Sequence, residues 1–172
     1  MKRIVVALIV STLAAASVAA ADHGGASASG HASLVAHNVF GLQTLELRNF
    51  DFHAKQKGDG TVDGKFKYLE IDDGAPFSTE GTLSCLTVIG NEAWIGGTID
   101  RSSDPTYVGF GAWWHVVDNG QGKHAQPDIT TFEGTGTAAD TQAFCDTHPP
   151  FKHPFAIQEG NIQVQDGSDP GK

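Results

Sequence analysis

The sequence predicts an all-β fold: an antiparallel β-sandwich or small closed β-barrel of about seven or eight strands, held by one disulfide. Three observations carry this. Apolar residues alternate with polar ones in several runs, and no stretch keeps a helical period. Glycine-rich turns cut those runs at short intervals. Two cysteines, Cys85 and Cys145, sit in a chain that opens like an exported protein.

Residues 1–21 read as a secretory signal peptide. Met1-Lys2-Arg3 is positive, residues 4–18 are uncharged and mostly apolar, and Ala19-Ala20-Ala21 supplies small residues before the first acid, Asp22. Residues 22–30, rich in Gly, Ala and Ser, read as a flexible lead-in. One β domain is expected over 31–165, followed by a disordered polar tail over 166–172.

Within the domain, Leu45 and Leu47 alternate with polar residues, and Phe50, Phe52 and Ala54 continue in the opposite phase. The slip predicts a β-bulge near Arg48-Asn49. Gly58-Asp59-Gly60 marks a tight turn. After it, Val62, Gly64, Phe66 and Tyr68 share one face, and Asp63, Lys65 and Lys67 the other. These runs predict a hairpin with an aromatic inner face and a charged outer one. Residues 82–89 and 92–99 flank Gly90-Asn91 and predict a second hairpin. Residues 107–117 carry apolar side chains on both faces, which predicts a central strand covered on both sides. Shorter strands are expected at 129–132 and 162–164. Residues 134–155 read as a long loop, because Pro149, Pro150 and Pro154 interrupt ladder pairing.

Charge narrows the partners. Cleavage after residue 21 removes Lys2 and Arg3, leaving nine basic residues against 20 acidic ones, a balance of −11. Such a surface repels nucleic acid and anionic membranes. No second apolar stretch is long enough for a helical span. The expected location is secreted: extracellular, or periplasmic in a source with an outer membrane. There the two cysteines are expected to pair, pinning the 134–155 segment against the sheet.

Several segments carry a resemblance. They are Leu83-Ser-Cys-Leu-Thr-Val-Ile-Gly-Asn-Glu-Ala-Trp-Ile-Gly-Gly97, Val117-Asp-Asn-Gly-Gln-Gly122, Pro127-Asp128, Gly160-Asn-Ile-Gln-Val164, the Phe50-Asp-Phe-His-Ala54 strand and the Gly60-Thr-Val-Asp-Gly64 turn. Together they resemble a group of small secreted bacterial proteins of unassigned function, over about Gly30 to Val164. The resemblance implies export and a β-rich domain, and it supplies no catalytic residues.

No catalytic constellation is legible. Ser84 lacks a Gly-x-Ser-x-Gly setting, and a bridged cysteine is no nucleophile. The 8 histidines show no metal-ligand spacing, although His115, His124, His148 and His153 could meet in space. Asp59-Gly-Thr-Val-Asp63 is only a fragment of a calcium loop, and a hairpin turn explains it. Asp118 and Asp128 flank the Gly120 loop and could face each other as a carboxylate pair. Asp118, in an Asp-Asn-Gly turn, is equally a turn cap. Trp94, Trp113 and Tyr68 are candidate ligand contacts within an aromatic set. Of these, Trp113 is expected in the core and Trp94 partly exposed. No metal site or cofactor is expected.

The expected function is a secreted binding or interaction module, its partner a small apolar ligand or an extracellular partner. The alternatives are a small-barrel enzyme of isomerase or cyclase type and a purely structural extracellular protein. An internal cavity would favour ligand binding or catalysis; a filled core would leave the surface.

Overall fold

Alternation sets the architecture. In the strand Val62–Asp72, the side chains of Phe66 and Tyr68 are buried, whereas Asp63, Lys65 and Lys67 are exposed. Its partner Leu45–Gln56 buries Phe50, Phe52 and Ala54 in the same phase. Each strand therefore presents one face to a core and one to water.

The computed structural model describes residues 25–37, 45–131 and 134–167. In chain order the strands are β1 (Ser27–His37), β2 (Leu45–Gln56), β3 (Val62–Asp72), β4 (Ala75–Ile89), β5 (Glu92–Ser102), β6 (Gly111–Val117), β7 (Ile129–Thr130), β8 (Gly134–Gly136), β9 (Phe155–Ala156) and β10 (Glu159–Gln165). One helix, α1 (Ala138–Thr147), follows β8. The strands form one curled antiparallel sheet in the order β10-β1-β2-β3-β4-β5-β6-β7-β9, with β8 beside β6. No helix among the described residues is long and apolar enough to cross a membrane.

Both expected hairpins are present. β2 and β3 meet across Lys57–Thr61, and β4 and β5 pair from Ile89↔Glu92 across Gly90-Asn91. Gly90 has φ 61°, the left-handed value that a two-residue hairpin turn requires. Cys85 and Cys145 are disulfide-bonded with Cα atoms 6.2 Å apart.

Four expectations are corrected. The flexible lead-in over 22–30 is β-strand from Ser27 onward, because Ala28 and Ala32 are fully buried and β1 pairs with both β2 and β10. The bulge is not at Arg48-Asn49: β2 keeps unbroken register with β1 and β3 from end to end. Its phase never slips, since Glu46 and Arg48 are buried on the same face as Phe50. The register shifts fall in β4 instead, at Glu80/Gly81 and at Leu83/Cys85. Finally, the expected loop 134–155 contains α1, and Cys145 lies on that helix. Thr137 and Asp140 cap its start reciprocally, which sets the helix in motion despite its weak apolar face.

The inner face is filled by its own side chains. Phe52 and Phe66 lie against Trp114 at ring-centroid distances of 5.6 and 5.4 Å, and Phe50 contacts Tyr68 at 4.9 Å;. The space among these rings has no room for a water molecule. On the other side, α1 covers β4, β5 and β6, so β6 is indeed covered on both faces.

Candidate functional site

One end of the inner face departs from the aromatic pattern. Along β2, the buried phase runs Ala54, Phe52, Phe50, Arg48, Glu46; along β3 it runs Phe66, Tyr68 and then Glu70 and Asp72, both half-buried. Register places Arg48 opposite Glu70 and Glu46 opposite Asp72. Cross-strand neighbours on one face touch, so opposite charges there pair directly.

Arg48 organises the cluster. Its Nε donates to Glu46 Oε2 at 3.0 Å, and its Nη2 donates to Glu70 Oε1 at 3.1 Å and also to Glu46. Its Nη1 donates to the Tyr68 hydroxyl, which in turn donates to Glu70 Oε2 at 2.8 Å. Glu46, Arg48 and Tyr68 are 3, 6 and 4% exposed. Thr79, across β4 from Tyr68, is also buried. Phe77 stands opposite Glu70, and its ring meets Tyr107 at 5.2 Å. The mouth of the curled sheet is thus a charged network bordered by aromatic rings.

Carboxylate oxygens of Glu46, Glu70 and Asp72 lie within 4.8 Å of one another. The Arg48 guanidinium bonds two of the three, so it already supplies the positive charge such a cluster needs. Sequence reading missed this network. The signal was present: Glu46-x-Arg48-x-Phe50-x-Phe52 keeps a constant phase if charged residues are allowed inside.

The residues singled out from sequence disperse. Tyr68 belongs to the mouth. Asp118 and Asp128 lie along the seam where β10 approaches the β6–β7 side. Asp128 Oδ2 accepts the Ile162 N–H at 2.8 Å and its Oδ1 the Asn119 N–H at 2.8 Å. Asp118 Oδ2 accepts the Val164 N–H at 3.0 Å, and its Oδ1 caps its own turn through Gly120 N–H at 2.8 Å. These carboxylates serve backbone donors. Asp59 likewise caps its turn, accepting from Thr61 N at 2.9 Å and Thr61 Oγ1 at 2.6 Å.

The expected contrast between the tryptophans is reversed. Trp94 is 6% exposed, and its Nε1 donates to the Pro149 carbonyl at 2.9 Å. Residues 148–151 cover the bare backbone of Gly96 and Gly97 that sequence reading left open to solvent. Trp113 is half-buried on the outer face, packed against Phe144 of α1 and against Gly134 and Gly136. A Cβ at Gly134 would lie 2.4 Å from the Trp113 ring nitrogen, so glycine is needed there.

His115 is stacked on Trp94 at 4.1 Å and on Phe151 at 3.7 Å, with its Nε2 3.0 Å from Glu92 Oε2. His148 meets the Trp94 ring at 5.3 Å, so two of the histidines gather around an indole. The outer face also carries a shallow groove of about 290 Å³ beside a ladder of charges. In that ladder Lys67 pairs with Glu80 at 3.1 Å and Arg101 with Glu80 at 3.5 Å. These pairs are exposed, and solvent screens them.

No family model, curated protein or solved structure matches the chain.

Proposed function

We propose that this chain is an exported binding module, akin to the secreted bacterial group it resembles, and that it engages an extracellular partner at the mouth of the sheet. The observation that carries the reading is the buried Glu46–Arg48–Tyr68–Glu70 network. Ion pairs withdrawn from water repay their desolvation poorly, and apolar residues of similar size commonly stabilise a fold as well or better. The same strands solve the packing problem with phenylalanines a few residues away. Charges kept at the mouth are therefore better explained by recognition than by stability. The filled aromatic interior favours this reading over an enclosed apolar ligand, and over an isomerase or cyclase acting inside the barrel.

The test uses protein purified from its own host and analysed by native mass spectrometry, beside the double variant Glu46→Leu/Arg48→Met. The expected result is a retained partner on the wild type and none on the variant, with the melting temperature maintained. A partner held equally by both proteins, or none held by either, would overturn the reading. N-terminal sequencing of the exported chain is expected to begin near Ala21 or Asp22; an intact Met1 would contradict export.

A further inference from the structure

The segment 148–155 crosses the outer face of β5 and β6 between two anchors. At one end Cys145 is bridged to Cys85 in β4. At the other, β9 pairs with β7, and Ile157 N–H bonds the Asp128 carbonyl at 2.9 Å. Between the anchors the hold is slight. Pro149, Pro150 and Pro154 have no backbone donor. His148 and His153 bracket the span with φ of 49° and 57°, left-handed values that cost a non-glycine residue on the order of 1–2 kcal/mol each. Relaxing the span would release that strain.

What the segment covers is an ionisable ring. His115 is 2% exposed, and Phe151 lies flat on it with an interplanar angle of 27°. Trp94 covers the opposite face. Nε2 has Glu92 as its partner, whereas Nδ1 is buried with no hydrogen-bond partner among the described residues. A neutral ring can leave Nδ1 as a bare acceptor. An imidazolium must donate from both nitrogens, and a buried N–H without an acceptor is costly.

We infer that residues 148–155 form an acid-released strap: protonation of His115 lifts the segment and uncovers the Trp94–His115 face of the sheet.

Few charges oppose this. Glu92, on β5, favours the imidazolium. From the strap side, His148 faces Trp94, and Lys152 and His153 point to solvent. Thr131, whose hydroxyl accepts from the His115 backbone N–H, carries no charge. Burial pushes the His115 imidazole below its ordinary 6.5, and this outweighs the opposing pull of Glu92. The proton therefore prefers the open strap, in which one ring face is hydrated. Closure is at full strength above pH 6.5 and weakens as pH falls through 6.5 toward the lowered value.

Hydrogen exchange of the oxidised protein between pH 7.5 and 5, corrected for intrinsic rates, tests the strap. In the wild type, protection of the amides at 151–153, relative to those of β2–β4, is expected to fall by up to about tenfold per pH unit below 6.5. In His115→Phe, which stacks but cannot ionise, the ratio is expected to stay flat. Carbon-13 labelling of the wild-type histidines adds a readout that needs no variant: the His115 ring is expected to titrate while the sheet's circular dichroism remains native. A flat wild-type ratio, an equal loss in His115→Phe, or a His115 ring that titrates only with global unfolding would each overturn the proposal.

Discussion

A buried arginine is tolerable only when its N–H groups find acceptors, and Arg48 finds three: Glu46, Glu70 and the Tyr68 hydroxyl. The consequence is asymmetric. Arg48→Met alone strands the Glu46 carboxylate, 3% exposed, without its countercharge, and is expected to cost about 3–5 kcal/mol. Glu46→Leu/Arg48→Met removes both charges and is expected to fall within about 1 kcal/mol of wild type, or above it. Glu70, with 21% of its side chain exposed, can turn to water in either background. Urea melts of the two variants decide the matter. Equal losses in both would mean that the ion pair itself holds the strands together, which would remove the main support for a recognition role.

Among the elements, α1 depends most on covalent attachment. Only Thr141 and Cys145 of its ten residues are buried, so little apolar area secures it to the sheet. The disulfide closes a span of 60 residues, and loop entropy assigns it roughly 4 kcal/mol before strain. Cys85→Ala/Cys145→Ala is expected to lose about that much, with proteases cutting first within 134–155 while the β2–β3 and β4–β5 hairpins stay intact. First cuts within those hairpins would refute this. The cap responds to acid: the Thr137 hydroxyl and backbone hold Asp140 below its ordinary 3.8. Its contribution is thus present above 3.8 and is lost as pH falls below that value. This weak apolar face is also why α1 escaped a reading of periodicity, whereas the hairpins, with apolar alternation and glycine turns, were legible. β1 was illegible for a different reason. Its inner positions Ala28, Gly30 and Ala32 must be small, since a Cβ at Gly30 would sit 3.0 Å from the Phe52 ring and 3.1 Å from Ile162. Small residues chosen for fit look like a linker. The mouth was hidden by the assumption that apolar residues mark the inner face, which Glu46 and Arg48 violate.

For the whole molecule, the question is how a curled sheet protects its ends. β9 and β10 are nearly consecutive in sequence but sit at opposite ends of the strand order, so the chain itself brings the two edges together. The N–H groups of Ile162 and Val164 point away from β1, toward a gap that no strand fills. Asp128 and Asp118 fill it with side-chain oxygens, a buried and a half-buried carboxylate taking the place of a neighbouring backbone. Asp128→Asn keeps the shape but turns an NH₂ group toward one of two N–H donors, leaving a buried donor unmet. The expected cost is about 1–3 kcal/mol. The exchange pattern identifies the seam. In Asp118→Asn/Asp128→Asn the amides of Ile162 and Val164 are expected to lose protection first, while those of Gln163 and Asn161, on the β1 side of the strand, hold until β10 detaches as a unit. Unchanged exchange at 162 and 164 in the double variant would show that the two edges are held by packing alone.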